Sequence, residues 1–219
     1  MITVKFVPQS AEFIAGPYYT DTLHTLETAG RTCYASEPQG DPEGFIRRII
    51  QRGHESVLEH CSATMKLVVS RAIQNEIVRH RAGTAYSVQS TRYCNYGKDR
   101  FNQTIEVVTP DYLPRNVADV YRREMESAAV AYRRCIKSAV ETYAELIAAG
   151  IAPETARDVL PLALATPMTV TMNMREWRYF LKLRLDKAAH PQMREICGMI
   201  LAILQVWYPV LFEDIGECE

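Results

Sequence analysis

The sequence lacks the features that typify secreted, membrane-spanning and general nucleic-acid-binding proteins. Its 25 basic and 26 acidic residues give a formal net charge of −1, without the basic excess that a nucleic-acid-binding domain usually has. No apolar run approaches the roughly 20 residues of a membrane helix, and the first residues lack the basic and apolar regions of a signal peptide. We therefore expect a soluble, cytoplasmic protein that binds no nucleic acid, in which any anion site is local.

Cysteine and histidine do not occur at the spacings of metal sites. The six cysteines are scattered and form no CxxC pair, so free, buried thiols are expected rather than disulfides or a zinc site. In GHESVLEH, His54 and His60 are six residues apart, whereas the zinc motif HExxH brings its histidines onto one helical face. We interpret this segment as a turn whose polar side chains contact a ligand or brace the backbone, and we expect no metal.

Common motifs of nucleophilic catalysis and nucleotide binding are absent as well. The chain has no GxSxG elbow, Walker loop, GxGxxG or Ser–His–Asp order. Cys94 follows Arg92 and Tyr93, and a cysteine beside an arginine can be an activated nucleophile. A single cysteine in such a place is more often a small packing residue, so Cys94 is predicted not to be catalytic.

The chain does contain a mixture of short strand patterns and longer helical ones, and 47% of its 219 residues are hydrophobic. Alternation predicts strands in MITVKFVPQ, HCSATMKLVVS, TIEVV and PMTVTMNM. Spacing and capping signals predict helices in DPEGFIRRIIQRG, RAIQNEIVRH, residues 116–149, a short segment from Pro153, REWRYFLKLRLD and a last segment from Pro191. Strands and helices do not alternate strictly. We therefore predict an α+β fold, a single domain over residues 1–219 with a central, largely antiparallel sheet flanked by long helices.

The stretch RHRAGTAYSVQSTRYCNY, residues 79–96, concentrates cationic and hydrogen-bonding side chains. Arg79 and Arg81 flank His80, and hydroxyl and amide side chains follow in a predicted loop. Guanidinium and hydroxyl groups are the donors that phosphates and pyrimidine carbonyls require. A phosphorylated ligand is therefore favoured over the alternative, a pair of Glu76 with Arg79 on a solvated helix face, which would contribute little.

A second candidate group lies late in the chain. Asn173 closes a predicted strand, where a ligand is easily contacted, and Arg175 and Arg184 lie on the helix that follows. An ordinary basic, solvated face shared with Arg178 and Lys182 is the alternative interpretation. Arg184 has mostly apolar neighbours in FLKLRL, and a guanidinium in such surroundings needs an anionic partner.

Taken together, these segments resemble the flavin-dependent thymidylate synthase family. RHR followed by STRYCNY is similar to the family signature, and AGRTCY, RGHESVLEH, ARDVLPLAL, MNMREW and FLKLRLDKAAHPQMREI are similar to its other segments, in the same order. The resemblance implies a homotetramer with FAD at subunit interfaces. It also implies methylation of dUMP to dTMP, with 5,10-methylenetetrahydrofolate as carbon donor and NADPH as reductant. In this family the one-carbon unit passes by way of the flavin, and no protein cysteine attacks the pyrimidine.

The resemblance also implies roles for individual residues. Flavin contacts are expected from His54, Ser56, Arg79, His80, Arg81, Val88, Asn173, Arg175 and Tyr179. Nucleotide contacts are expected from Glu76, Arg79, Gln89, Ser90, Thr91, Arg92, Arg157 and Arg184. Arg184 resembles the catalytic arginine that activates the uracil by favouring ionisation at N3, because a fixed guanidinium stabilises charge that develops on the base.

Four features depart from the family pattern. Eight residues separate Arg81 from Ser90, where the family usually has seven, and the extra residue is predicted to bulge in AGTA. Val88 stands where a Glu or Gln commonly contacts the ligands, Glu76 where many relatives have Gln, and Tyr179 where some have Asn or His. Two alternatives stay open: the same fold acting on UMP or another pyrimidine nucleotide, and a non-catalytic nucleotide- or RNA-binding relative.

Overall fold

A computed structural model of the protein describes residues 2–98, 101–110 and 122–216. The strands in these ranges are β1 Thr3–Val7, β2 Ser10–Ala15, β3 Ser62–Ser70, β4 Thr84–Val88, β5 Thr104–Val108 and β6 Ala165–Asn173. The helices are α1 Tyr19–Tyr34, α2 Pro42–Gln51, α3 Arg71–Ile77, α4 Arg122–Ala148, α5 Pro153–Ala156, α6 Met174–Arg184, α7 Pro191–Trp207 and α8 Pro209–Phe212. Short 3₁₀ turns span Glu55–His60 and Arg157–Val159.

The chain divides into two compact units, each built from three separate stretches. The first unit comprises Met1–Gln9, Val68–Glu76 and Val88–Met168, and the second comprises Ser10–Leu67, Ile77–Ser87 and Thr169–Glu219. Neither unit is therefore a continuous N- or C-terminal domain. The assignment of residues 1–219 to a single domain stays a prediction.

The first unit is built around a parallel pair of strands and the long helix α4. Strands β1 and β5 pair in parallel, with Thr3 opposite Thr104 and Val7 opposite Val108. Apolar side chains of β5 and α4 form one buried cluster, which includes Ile105, Val107, Ile136, Val140 and Tyr143. This core explains why alternating TIEVV and an amphipathic helix fold together, although a parallel pair was not predicted.

The second unit contains most of a four-stranded sheet with the order β2-β3-β6-β4. The Met174 amide donates to the Cys61 carbonyl at 2.9 Å, and the Thr64 and Thr171 hydroxyls meet at 2.9 Å, so β3 and β6 run antiparallel. Helix α6 packs its Trp177 indole against β3, where the ring nitrogen donates to the Ala63 carbonyl at 3.0 Å. The predicted mixed fold with a largely antiparallel sheet and helices is confirmed.

Local capping explains several helix starts, as the sequence predicted. The Asp41 carboxylate accepts from the Gly44 amide at 2.8 Å at the start of α2, and the Ser70 hydroxyl accepts from the Ile73 amide at 3.3 Å at the start of α3. Each cap satisfies a backbone N–H group that has no partner within the helix. Gly53, with φ +72°, follows the end of α2 and supplies a conformation that other residues rarely adopt.

The structure also corrects the local predictions. Helix α3 ends at Ile77, three residues before the predicted end at His80. The segment AGTAYSVQ, predicted to be a loop, contains β4, because the Asn173 amide donates to the Gly83 carbonyl at 3.1 Å and aligns this segment with β6. Strand β2 and helix α1 were not predicted, and residues 116–121 of the predicted long helix lie outside the described residues.

Two further predictions concern the cysteines and the membrane. The five cysteines in the described residues are all free, as predicted, although Cys33 and Cys135 are exposed rather than buried. No helix in the described ranges is long and apolar enough to cross a membrane.

Candidate functional site

The three residues of the RHR motif divide between the interior and the surface of the second unit. His80 is 6% exposed, whereas Arg79 and Arg81 on either side of it are exposed. In the described part of the chain, neither guanidinium has a hydrogen-bond or ion-pair partner. Both cations are therefore available to an anionic ligand, and the histidine between them has a different role.

His80 is held at both ring nitrogens. Its Nδ1 lies 3.0 Å from Glu176 Oε1, and the Nε–H group of Arg184 donates to its Nε2 at 3.1 Å. A guanidinium can only donate, so Nε2 is the acceptor and the ring proton lies on Nδ1, where it donates to the carboxylate. Phe180 packs edge-on against the ring at 4.9 Å between centroids. These contacts fix the tautomer and orientation of the imidazole, and through it the position of Arg184.

The contact with His80 also links Arg184 to a buried carboxylate. Arg184 is half-buried and donates to the His80 imidazole. The opposite nitrogen of this ring contacts the Glu176 carboxylate. Glu176 is 8% exposed, and its own amide donates to the Asn173 side chain at 2.8 Å. The Glu176 carboxylate thus supports Arg184 through the His80 imidazole.

A pocket of about 480 Å³ lies beside this network in the second unit, lined by Glu55, Glu59, Ala82, Gly83, Asn173, Arg175, Glu176 and Tyr179. Gly83 adopts φ +59°, and a Cβ atom on it would lie 2.1 Å from Asn173 Nδ2, so any other residue there would be strained and would displace the Asn173 amide. Asn173 Oδ1 caps α6, which leaves the amide hydrogens of Asn173 for other acceptors. We call this the acidic pocket because three carboxylates line it.

The residues around the acidic pocket fit a flavin nucleotide. Tyr179 is 56% exposed and offers an aromatic surface to a planar ring. Glu55 and Glu59 can accept hydrogen bonds from hydroxyl and ring N–H groups, and the exposed Arg79 and Arg81 can bind phosphates. Arg175 is bonded to Glu59 at 2.5 Å, so it must exchange this carboxylate before it binds a ligand.

Two more of the predicted flavin residues, His54 and Ser56, lie next to residues of this pocket in the sequence. His54 is exposed, and its Nδ1 lies 2.8 Å from the Tyr34 hydroxyl. Ser56 is also exposed, within the 3₁₀ turn Glu55–His60. The segment is a turn, as the sequence predicted, and the described residues form no cluster of three or more potential metal ligands.

The interpretation of α6 as a solvated basic face is wrong for Arg178. This side chain is fully buried and donates to Glu55 at 3.1 Å, to Asp214 at 2.7 Å and to the Leu211 carbonyl. Burial would lower the pKa of Arg178, but the bonds to Asp214 and Glu55 raise it above its ordinary value. The partners lie 36 and 123 residues away along the chain, so sequence spacing could not reveal them.

The predicted nucleotide residues gather mainly in the first unit, around three arginines. Arg157 Nη1 donates to the Thr91 hydroxyl at 3.3 Å, and Arg71 Nη2 donates to the Gln89 carbonyl at 3.3 Å. Arg92 reaches a carboxylate oxygen of Glu154 at 3.4 Å. The Ser90 hydroxyl accepts from the Arg92 amide at 3.3 Å, and Glu76 is half-buried in the same unit. Val88, which was predicted to contact the flavin, is also half-buried in this unit. We call Arg71, Arg92, Arg157, Ser90 and Thr91 the arginine cluster.

Positive charge in the arginine cluster exceeds its local compensation. Burial lowers the pKa of Arg71, and the charge of Arg157 lowers it further. The direct partners given above for Arg71 and Arg157 are neutral oxygens. An anion placed among the three guanidiniums would therefore relieve their repulsion, and the hydroxyls of Ser90 and Thr91 could donate to its oxygens.

Comparison with known proteins identifies the family. The family described as thymidylate synthase complementing protein matches residues 18–210. The chain belongs to this family. A flavin-dependent thymidylate synthase from Geobacter sulfurreducens is 32% identical over 206 residues, which cover 90% of this chain and 83% of that protein. A probable flavin-dependent thymidylate synthase from Mycobacterium phage L5 is 33% identical over 217 residues, covering 92% and 84%.

A solved structure is similar over nearly the whole chain. The UMP/dUMP methylase PolB from Streptomyces cacaoi, bound with 5-Br dUMP, matches with a TM-score of 0.77 and 26% identity, covering 97% of this chain and 96% of that one. The family predicted from the sequence motifs is confirmed.

Two residues of the candidate site were not predicted from the sequence. Glu176 looks like an ordinary acidic residue in the first turn of a helix, where the helix dipole favours it, and only the fold shows that it binds His80. Arg71 begins helix α3, and no role was predicted for it. Its contact with the Gln89 carbonyl depends on a residue 18 positions away.

Proposed function

We propose that the chain is a flavin-dependent thymidylate synthase that methylates dUMP to dTMP. FAD is the proposed cofactor, 5,10-methylenetetrahydrofolate the carbon donor and NADPH the reductant. Membership of the family and the names of the relatives support the reaction class. The observation that carries the proposal to this chain's own residues is the bond between Arg184 and His80, which fixes the predicted catalytic guanidinium.

The chemistry of Arg184 follows from this geometry. A bound flavin supplies the redox chemistry and the transfer of the one-carbon unit. Arg184 binds the pyrimidine ring and stabilises negative charge that develops at N3 and its neighbouring carbonyl oxygens. His80 accepts from Arg184 and holds its proton at Nδ1 against Glu176, so the guanidinium does not have to reorganise as charge develops.

The arginine cluster is proposed to bind the phosphate of the nucleotide. Arg157 and Arg71 would bind phosphate oxygens, and Arg92 would exchange Glu154 for the ligand. The contacts with Gln89, Thr91 and Glu154 lie at 3.3 to 3.4 Å, beyond the usual range for N–H···O bonds. Shorter charge-assisted bonds to a phosphate would replace them.

The remaining expectations belong to the same proposal. The family resemblance supports a homotetramer with FAD at subunit interfaces and a cytoplasmic location. The near balance of charges supports the absence of nucleic-acid binding.

The decisive experiment is an assay of the purified protein with FAD, NADPH and methylenetetrahydrofolate. We expect a yellow protein that releases FAD on denaturation and converts dUMP to dTMP, detected by mass spectrometry. A colourless protein without turnover would favour the non-catalytic alternative. Absence of product from dUMP would contradict the proposed reaction.

A second candidate substrate is UMP. The similar protein PolB is described as a methylase of both UMP and dUMP, and the segment between Arg81 and Ser90 departs from the usual pattern. Parallel assays with dUMP and UMP, compared as kcat/KM, distinguish the two acceptors.

A further inference from the structure

A second pocket of the second unit is cationic, unlike the acidic pocket. It has a volume of about 220 Å³ and is lined by Arg31, Tyr34, Ser36, Gln39, Phe45, Arg48, Ile49, Arg52 and His54. Three arginines and no carboxylate are found among these lining residues, all of which lie within the described range 2–98. We call it the cationic pocket.

The three arginines of the cationic pocket are not equivalent. Arg31 is 8% exposed, is bonded to Glu27 at 3.0 Å and lies over the Phe45 ring at 4.4 Å, so it is a structural part of the wall. Arg48 is exposed and forms an ion pair with Asp41 at 3.8 Å, which is longer than a hydrogen bond and weakened by solvent. The Arg52 side chain is exposed and has no ion pair or hydrogen bond within the described residues.

Repulsion between the positive charges of Arg48 and Arg52 destabilises the folded protein unless an anion lies nearby. Arg48 lies in the last turn of α2 and Arg52 is its C-terminal cap, so the two side chains lie one turn apart on the same face. Like charges at this spacing repel each other, although the negative end of the helix dipole offsets part of this. A bound anion would turn this repulsion into two charge-assisted contacts.

The cationic pocket also adjoins the acidic pocket along the chain. His54 lines the cationic pocket, and the next residue, Glu55, lines the acidic pocket. A molecule that reacts at a flavin in the acidic pocket could therefore extend an anionic group toward Arg48 and Arg52. The Tyr34 hydroxyl, 2.8 Å from His54, adds a polar group at this boundary.

We infer that the cationic pocket binds the anionic end of a co-substrate of the flavin, through Arg48 and Arg52. This inference rests on the proposed function, in which both co-substrates have such an end. The reductant carries phosphates and the folate carries glutamate carboxylates, each remote from its reacting atom. The shared chemistry is a multiply charged oxyanion, which guanidinium groups bind in preference to neutral ligands.

The test compares the variants Arg48→Gln and Arg52→Gln with the control Arg47→Gln. Arg47 lies on the same helix and loses the same charge, but it pairs with Glu43 and Glu213 and does not line the pocket. For the FAD-loaded enzyme, we expect each pocket variant to raise KM for one co-substrate about tenfold, the loss of one charge-assisted contact. The control should change it less than about twofold, and the kcat of all three variants should stay close to wild type.

The outcomes separate the sources of the anion. A rise in KM for NADPH alone identifies a phosphate of the reductant, and a rise for the folate alone identifies its carboxylates. Pocket variants indistinguishable from Arg47→Gln for both co-substrates would overturn the inference. Release of FAD from both pocket variants would also overturn it, because the pocket would then serve the flavin's own phosphates.

A calorimetric titration with inorganic pyrophosphate tests the pocket without turnover. If wild type binds pyrophosphate and Arg52→Gln binds it about tenfold more weakly, the anion site stands even when no dTMP is formed. That combination, pyrophosphate binding without dTMP formation, would contradict the proposed function but not the anion site. Where wild type shows no turnover, equal titrations of wild type and Arg52→Gln would overturn the anion site as well.

Discussion

The network around His80 in the second unit and the arginine cluster of the first unit differ in how completely their side chains are bound. His80 and Glu176 are 6% and 8% exposed, and both imidazole nitrogens have partners within 3.1 Å. In the arginine cluster, the side chain of Arg92 is 52% exposed and contacts Glu154 at 3.4 Å. Arg157 contacts the Thr91 hydroxyl at 3.3 Å and the Glu154 backbone carbonyl at 3.1 Å. One region is closed and preorganised, whereas the other is open to a ligand.

This difference matches the two proposed tasks. A group that stabilises charge in a transition state is most effective when it does not have to reorganise, which favours the fixed Arg184. A group that captures a phosphate from water gains from partners that a ligand easily replaces, as with Arg157 and Arg92. Substitutions in the first region should therefore reduce kcat, and substitutions in the second should mainly raise KM.

The largest effect is expected for Arg184→Ala. This variant removes the guanidinium that is proposed to stabilise the pyrimidine anion, so kcat should fall about a hundredfold or more. FAD should stay bound, as measured by flavin absorbance after gel filtration. Activity within tenfold of wild type would contradict the assigned role.

Glu176 tests whether the network acts as a unit. In Glu176→Ala the Nδ1–H group of His80 loses its buried acceptor, at a cost of about 1–3 kcal/mol, and kcat should fall about tenfold as Arg184 loses its orientation. In Glu176→Gln the side-chain carbonyl can still accept from Nδ1, so most of kcat should return. If Ala and Gln lower kcat equally at matched thermal stability, Glu176 does not position Arg184 through His80.

Arg157 tests the open region. Arg157→Ala should raise KM for dUMP about tenfold with little change in kcat, because a phosphate contact contributes to ground-state and transition-state binding alike. The wild-type KM should rise with salt, and the variant should show a weaker dependence. A fall in kcat with unchanged KM would assign Arg157 to the chemical step and would break the comparison.

The smallest effect on activity is expected for Asp214→Asn. This variant tests the ion pair between Asp214 and the buried Arg178 of α6. Burial would raise the pKa of Asp214, but the hydrogen bonds and charge of Arg178 hold it below its ordinary value. A lowered folded-state pKa means that this stability is present above the unfolded pKa, about 3.9, and is lost as pH falls through the folded value.

At pH 7 the variant should unfold a few degrees lower than wild type, from a loss of about 1 kcal/mol, because the Asp214 side chain is 42% exposed and solvent screens its charge. Differential scanning calorimetry from pH 7 to pH 3 should show this gap narrowing below about pH 4. A gap that is constant over this range would mean that Asp214 does not stabilise the fold through its charge.

Sequence patterns predicted those parts of the fold that depend on near neighbours. The Asp41 cap lies three residues from its partner, and alternation in β3 places Ala63, Met65 and Leu67 in the interior. Strand β4 was missed because its five residues, TAYSV, mix polar and apolar side chains. Its pairing with β6 depends on residues about 90 positions away, which no local pattern contains.

The candidate site shows the same division. The family motifs indicated His80 and Arg184, but their bond spans 104 positions of the chain and could not be read from spacing. A solvated face was the alternative interpretation for Arg178, because an arginine in a helix usually lies there. Its burial became visible only with the carboxylates of Glu55 and Asp214 in place.

The contact between Gly83 and Asn173 has a consequence for how this sequence can vary. Asn173 ends β6, caps α6 and fills the space above the bare Cα of Gly83, where an added Cβ would lie 2.1 Å from its amide. A side chain at position 83 would therefore clash with Asn173, and replacement of Asn173 alone would remove the cap of α6. In a library that randomises both positions, survivors should keep the Gly–Asn pair, and a replacement at Gly83 should appear only together with a smaller residue at Asn173.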